Sequence, residues 1–314
     1  MSNTELIREL RALTSAGMKD CKDALEESNW DLQKAVDIVK VKGLNIADGR
    51  TGRVAADGRV AIMDATAVFD GNGKLQPHRE LKVMVEVNCQ TDFVASNPDF
   101  VEFANATAAT FLLAILNGYA FDASSVEQGE KGRLVLVSKV KENVVVRRWW
   151  AEEGQDPTVR VFDYKHSNNK IGVLITMKAP SVDAANSNDF RVLGEELAMQ
   201  IAAMNPLAVD VTHIPPEEKD RQKAIFETQL KDENKPEKMW EKILEGKFRK
   251  WSTEVCLLEQ ESVVLPKTPV KQVIKNVGTK LGGEIQVVNF VRCQVGEGIE
   301  KKKENLADEV AKMM

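Results

Sequence analysis

The chain has 314 residues, of which 43 % are hydrophobic and 29 % charged, a composition typical of globular proteins with one or two domains. The formal net charge of −5 argues against broad binding to a nucleic-acid backbone, which needs concentrated Lys and Arg. The four cysteines show no Cys-x-x-Cys spacing and the three histidines are far apart, so we expect reduced thiols, no metal site and no cofactor. A polar N-terminus and the lack of a long apolar run predict a cytoplasmic protein without membrane contact.

The first 45 residues predict a bundle of three short helices. Asn3 or Thr4 is the expected N-cap of the first, Cys21 lies on the apolar face of the second, and Asp31 caps the third, which ends at Gly43. This pattern resembles a ubiquitin-associated-type bundle. Its core would be marginal alone, so we expect it to dock on a partner or on its own chain, although a purely structural helical cap explains the segment equally well.

Residues 46–57 lose helical periodicity and gain glycine and charge, which predicts a linker. Alternating, β-branched sequences then predict strands over residues 59–67 and 81–88. Between them, residues 69–80 form a long polar segment with a Gly-Asn-Gly turn at 71–73, which indicates a surface hairpin.

Residues 88–97 connect the second strand to a helix predicted over residues 97–117, with Asn97 as N-cap and Pro98 at the first helical position. In this short polar connection Phe93 follows Asp92. Taken alone, the pair favours an ordinary structural explanation, with Phe93 turned into the core and Asp92 capping a nearby backbone group. A functional role has to be argued from the rest of the chain.

The same order of strands followed by a helix occurs twice. A helix over residues 126–141 and a strand over 143–150 complete a first unit, after which strands at 160–164 and 171–177 precede a helix at 190–205. The sequence therefore predicts an α+β fold with two core units of related plan.

Residues 215–252 are rich in interspersed charges of both signs and carry only a thin apolar seam, which predicts an antiparallel coiled-coil hairpin of two helices. Strands at 253–258 and 284–293 and a helix at 270–281 return the chain to the second unit. Residues 295–314 predict a C-terminal amphipathic helix.

Motifs for covalent chemistry are missing from the sequence. It contains neither a Gly-x-x-x-x-Gly-Lys-Ser/Thr phosphate loop nor a Gly-x-Ser-x-Gly nucleophile turn. A hydrolase that uses Cys89 would lack a partnering motif. We therefore expect a protein that is not an enzyme.

Taken together, several segments resemble the bacterial elongation factor Ts family over nearly the whole chain. The longest are residues 10–25 (Leu-Arg-Ala-Leu-Thr-Ser-Ala-Gly-Met-Lys-Asp-Cys-Lys-Asp-Ala-Leu) and 85–95 (Val-Glu-Val-Asn-Cys-Gln-Thr-Asp-Phe-Val-Ala). Residues 54–58, His166 with 171–174, and 295–301 extend the match in family order. The charged hairpin lies where that family carries its coiled-coil arm.

The resemblance implies a guanine nucleotide exchange factor for the GTPase elongation factor Tu. In that family the N-terminal bundle binds the nucleotide-binding domain, and a Thr-Asp-Phe loop enters near the magnesium and phosphate site. By resemblance, the loop comprises Thr91, Asp92, Phe93 and Val94. The other partner-binding residues that we expect are Met18, Cys21, His166 and Gly172.

The expected domains are a bundle and linker (1–52), a first core subdomain (53–148), a second core subdomain (149–210 and 253–294), the coiled-coil hairpin (211–252) and a C-terminal helical module (295–314). We expect no direct contact with nucleic acid, and self-association through the hairpin is left open. The alternative function is that of an adaptor or replicase accessory subunit that binds the same GTPase without nucleotide exchange.

Overall fold

The computed structural model describes residues 2–14, 16–50, 52–65, 68–69, 75–76, 80–117, 123–233 and 235–300. The helices are α1 (Asn3–Thr14), α2 (Met18–Glu27), α3 (Leu32–Arg50), α4 (Asp92–Ala95), α5 (Pro98–Leu116), α6 (Ala123–Val140), α7 (Val182–Ala185), α8 (Asn188–Met204), α9 (Pro216–Asp232), α10 (Trp240–Val255) and α11 (Val270–Lys280). The strands are β1 (Asp57–Ala65), β2 (Val68–Phe69), β3 (Leu75–Gln76), β4 (Glu80–Cys89), β5 (Val145–Gly154), β6 (Val159–Lys165), β7 (Ile171–Lys178) and β8 (Gln286–Gln294).

Helices α1 to α3 form the N-terminal bundle. Ser2 caps α1 through a reciprocal pair: the backbone N–H of Glu5 donates to Ser2 Oγ (3.3 Å), and the Ser2 N–H donates to Glu5 Oε2 (2.7 Å). The cap is thus one or two residues earlier than predicted. Asp31 caps α3 as predicted, with its Oδ1 3.0 Å from the backbone N of Lys34.

Helix α3 does not end at Gly43 but continues to Arg50, into the first part of the linker predicted over residues 46–57. Glycine lowers helix stability by only about 1 kcal/mol, and tertiary packing outweighs such a preference. Here α3 lies against α6, so contact with the first core unit supports the additional turns.

The first core unit has a three-stranded antiparallel sheet in the order β1-β4-β5, with α5 and α6 on one face. Gly58 permits the tight β1–β4 pairing, because its φ is +143° and a Cβ there would lie 2.1 Å from the carbonyl oxygen of Val87. Strands β2 and β3, which lie between β1 and β4 in the sequence, pair with each other as a separate two-stranded sheet. The turn predicted at residues 71–73 lies outside the described residues.

The second core unit repeats this arrangement with the antiparallel sheet β6-β7-β8, covered by α8 and α11. In both units a strand leads into a one-turn helix and then a long helix. Thr91 and Ser181 cap the one-turn helices, and the fully buried Phe100 and Phe190 anchor the long ones. Val60, Met84, Leu174 and Cys293 pack between the two sheets.

Between α8 and α11 the chain extends into α9 and α10. These helices contact each other through few apolar residues, among them Phe226 and Phe248, whose ring centroids are 5.3 Å apart. Lys247 donates to Gln229 Oε1 (2.8 Å) on the same side. The expectation that these two helices form an antiparallel coiled coil stays a prediction.

Two elements predicted in the C-terminal part of the chain differ from the structure. Residues 253–258 are not a strand, because α10 runs to Val255 and a short 3-10 turn follows; Ser252 and Thr253 donate their hydroxyls to carbonyls one turn earlier. Residues 295–300 form turns rather than the start of a helix, since Gly296 and Gly298 both have φ +75°. The remainder of that predicted helix lies outside the described residues.

The expected subdomain boundary after residue 148 falls within β5. This strand pairs with β4 from Val145 to Gly154, so residues 149–154 belong to the first sheet.

Helix α5 is long and apolar enough, by length and composition, to cross a membrane, contrary to the prediction that no run approaches that length. Its buried residues, from Phe100 to Ala114, pack on the first sheet, as in the core helix of a globular domain.

Candidate partner-binding site

The Thr-Asp-Phe segment is a one-turn helix held at both ends. Thr91 Oγ1 accepts a hydrogen bond from the backbone N of Val94 (3.3 Å) and so caps α4. Asn97 Oδ1 accepts from the backbone N of Asp99 (2.9 Å) and caps α5 immediately afterwards. The residues between these caps therefore have a defined backbone conformation.

Phe93 points into solvent, with 85 % of its surface exposed, whereas Phe100 is fully buried. The core position that the sequence allowed for Phe93 is thus wrong. Asp92 is exposed as well, and no hydrogen bond or ion pair reaches its carboxylate from the part of the chain that the structure describes. Val94 is partly buried and packs against the first core. The turn presents one aromatic ring and one carboxylate together on the surface.

Glu142 braces this turn from the opposite side. Its Oε2 accepts hydrogen bonds from the backbone N–H groups of Gln90 and Thr91, both at 3.0 Å, and its Oε1 accepts from the Thr91 hydroxyl at 2.7 Å. Hydrogen bonds to a carboxylate are about twice as strong as neutral ones. Glu142 cannot be identified from the sequence alone, because no local pattern links it to residues 90 and 91.

The N-terminal bundle adds an exposed apolar surface. Leu13 and Met18 are each 63 % exposed, so Met18 is accessible to a partner. Cys21, in contrast, is fully buried in the bundle core, with its Sγ 3.7 Å from the carbonyl oxygen of Ala16. The side chain of Cys21 packs inside the bundle, and the partner-binding role expected for this residue stays a prediction.

His166 and Gly172 lie at the connection of β6 and β7 but differ in environment. The imidazole of His166 is exposed, and its Nδ1 is 3.0 Å from the hydroxyl of Tyr164. Gly172 is buried between the sheets, where a Cβ would lie 2.6 Å from Val60 Cγ1. Close packing accounts for a glycine at this position, and the partner-binding role expected for Gly172 stays a prediction.

A buried carboxylate joins the two core units behind this surface. Glu86 is fully buried, with Oε2 2.5 Å from Arg148 Nε and Oε1 3.1 Å from Arg147 Nη1 and 2.8 Å from the backbone N of Gly296. Burial alone would raise the pKa of Glu86, but the hydrogen bonds from Gly296, Arg148 and Asn88 outweigh it and lower this pKa. The signal in the sequence was a glutamate within an apolar strand, together with an Arg-Arg pair.

Burial raises the pKa of the thiols in the two core units. Burial, with the nearby Glu142 and Asp57 carboxylates, raises the pKa of Cys89 to about 12. Burial and the Glu86 carboxylate likewise raise the pKa of Cys293 to about 12. Reactive cysteines have lowered pKa values, so this geometry argues against the hydrolase alternative at Cys89.

The chain is similar to known proteins over nearly its whole length. The family model described as "Elongation factor TS" matches residues 90–297, and the model of a UBA-like domain matches residues 1–39. The chain is 38 % identical to elongation factor Ts of Clostridioides difficile (strain 630), over 99 % of this chain and 98 % of the relative. It is 38 % identical to that of Symbiobacterium thermophilum (98 % and 96 % covered) and 34 % identical to that of Clostridium novyi (100 % and 99 % covered).

Proposed function

The chain belongs to the elongation factor Ts family, and we propose that it is a guanine nucleotide exchange factor for elongation factor Tu. The single observation that carries the mechanism is the exposed Phe93 on a capped and braced turn. Exchange needs no covalent step, so the protein acts by binding and is not an enzyme in that sense. We place this activity in the cytoplasm, where translation takes place.

Phe93 supplies an apolar wedge for a cleft of the GTPase near its nucleotide. A ring that is already exposed loses unfavourable contact with water when it enters an apolar cleft. The adjacent Asp92 carboxylate enters the same region, where its charge disfavours the arrangement of Mg²⁺ and phosphate. Thr91 and Val94 hold the backbone of the turn and are the further partner-binding residues of this loop in the proposal.

Thermodynamic linkage explains how binding becomes nucleotide release. A factor that binds the empty GTPase more tightly than the loaded one weakens nucleotide binding by the same ratio. Shifting the partner from almost fully loaded to almost fully empty needs about 5.5 kcal/mol of differential binding. An interface with several separate contacts is well suited to supply this difference.

The N-terminal bundle and the loop at His166 provide the further contacts of this proposal. Met18 and Leu13 form an apolar docking surface on the bundle, and the exposed His166 lies on the second core unit. In this arrangement the bundle holds the nucleotide-binding domain while the second unit meets another domain of the GTPase. The charged hairpin α9–α10 serves as an accessory arm that reaches a partner or a second copy of the chain.

The rival proposal is an adaptor or replicase accessory subunit that binds the same GTPase without exchange. The exposed Asp92–Phe93 pair favours exchange, because an adaptor needs no wedge. Catalytic amounts of the protein should accelerate release of a fluorescent GDP analogue from elongation factor Tu. Binding of the GTPase without any acceleration would support the adaptor instead.

A further inference from the structure

Resting on this proposed function, we propose that Glu142 is the positioning residue of the exchange turn: its carboxylate fixes Phe93 in the outward orientation that nucleotide release requires. The support begins with the three hydrogen bonds that Glu142 accepts from Gln90 N, Thr91 N and Thr91 Oγ1, at 3.0, 3.0 and 2.7 Å. Together they fix both residues that enter the turn. Thr91 then passes this constraint on, since the same hydroxyl oxygen caps the backbone of Val94.

Glu142 is itself held from both sides. The preceding residue, Lys141, has a left-handed backbone (φ +59°), which is uncommon for a residue other than glycine and turns the chain sharply after α6. The Lys141 ammonium lies 3.2 Å from Asp20 Oδ2 of the bundle. The following residue, Asn143, donates its side-chain N–H to the carbonyl oxygen of Arg53 (2.9 Å). The carboxylate therefore has little freedom to move with the turn.

A purely stabilising role for Glu142 fits these contacts less well. A carboxylate that only stabilised the core would pack against buried groups, but Glu142 is half-buried and its three donors all belong to the entry of the exposed turn. Nothing else on the described part of the chain accepts from the Gln90 and Thr91 amides. Without Glu142 these two amide N–H groups would form hydrogen bonds with water instead. Phe93 would then sample several orientations instead of one.

Saturation kinetics of stimulated GDP release separate positioning from docking. Glu142→Ala should lower the maximal release rate about tenfold, which corresponds to about 1.4 kcal/mol of barrier, while the half-saturating concentration changes less than about twofold. Glu142→Gln retains one carbonyl acceptor and should fall between wild type and Glu142→Ala. Glu80→Ala is the control at a position without any contact to the turn. Glu80 also accepts a hydrogen bond from a backbone N–H, that of Val161 (3.0 Å), and in addition forms an ion pair with Arg160 (3.2 Å).

A double variant tests whether Glu142 acts through Phe93. In a Phe93→Ala background, Glu142→Ala should cause no further loss of the maximal rate, because the ring to be positioned is gone. Hydrogen exchange gives a second readout: the Gln90 and Thr91 amides should lose protection in Glu142→Ala, while those inside β4 keep theirs.

Wild-type maximal rates in Glu142→Ala, or losses that multiply in the double variant, would overturn the positioning role while leaving the exchange activity standing. If instead Phe93→Ala releases GDP as fast as wild type, the wedge in the proposed function fails. In that case hydrogen exchange alone tests whether Glu142 holds the entry of the turn. Unchanged protection of the Gln90 and Thr91 amides in Glu142→Ala would refute that role.

Discussion

Phe93 and Phe100 follow the same strand but lie in opposite environments, one exposed by 85 % and the other by 0 %. The sequence shows both as aromatic residues near polar ones, and local pattern alone favoured a buried position for each. What distinguishes them is the cap at Thr91, which starts a separate helical turn and directs Phe93 outward. The brace from Glu142 could not be predicted, since it joins residues 51 positions apart in sequence.

The two phenylalanines make a matched pair for stability. Phe100→Ala should destabilise the fold by about 3–5 kcal/mol, the usual cost of removing a buried aromatic side chain. Phe93→Ala removes an exposed ring and should leave the melting temperature nearly unchanged. Thermal unfolding of both variants, followed by circular dichroism, checks this. A large loss of stability in Phe93→Ala would return that ring to a structural role.

At the scale of elements, periodicity identified most helices and the strands of both sheets, whereas their ends depended on tertiary contacts. Helix α3 passes the predicted stop at Gly43 because it lies against α6, and β5 extends to Gly154 because β4 offers a partner along that length. Residues 253–258 include β-branched and apolar side chains that predict a strand, yet α10 continues into this segment as far as Val255. Such contacts link distant segments, so no local window of sequence contains them.

The bundle surface is expected to act through affinity. Replacing Leu13 and Met18 by serine removes exposed apolar contacts without disturbing the bundle core, so the melting temperature should stay the same. Because the docking surface is weakened, the concentration for half-maximal GDP release should rise, while the maximal rate is largely kept. A titration of stimulated release measures both quantities. An unchanged half-saturating concentration would show that this surface does not dock.

The arm formed by α9 and α10 should be separable from the core. Replacing residues 216–250 by a short Gly-Ser turn leaves Ala208, Ile214 and Cys256, the buried residues at its base, in place. The core should therefore unfold cooperatively at nearly the same temperature, while partner affinity or self-association changes. Calorimetry and size-exclusion chromatography provide the measurements. Aggregation with loss of cooperative unfolding would mean that the core depends on the arm.

At the scale of the whole molecule, the two related units act as one support for the exposed turn. The Glu86 carboxylate on β4 accepts hydrogen bonds from Arg147 and Arg148 on β5 and from the backbone N–H of Gly296 after β8. This one side chain therefore links the two sheets. Removing one member of a buried ion pair leaves an uncompensated charge and usually costs about 3–5 kcal/mol. We therefore expect substitutions of Glu86 to change stability, and substitutions in the turn at Phe93 to change the proposed exchange activity.

Acid should weaken this link. The folded-state pKa of Glu86 is lowered below its usual value of 4.5, so the stabilisation is present above that pH and is lost as the pH falls through the folded-state pKa. Glu86→Gln should be less stable than wild type at pH 7 and should lose less stability on acidification. Urea unfolding at several pH values tests this. Parallel pH profiles of the two proteins would contradict the role given to Glu86.

The decisive measurement for exchange through Phe93 is the rate of GDP release from elongation factor Tu, with wild-type protein and with Phe93→Ala at equal folded concentration. We expect substoichiometric wild-type protein to accelerate release of a fluorescent GDP analogue with turnover, and Phe93→Ala, equally stable, to accelerate it far less. Equal acceleration by both proteins would contradict the wedge mechanism, and a wild-type protein that binds the GTPase without accelerating release would contradict exchange itself.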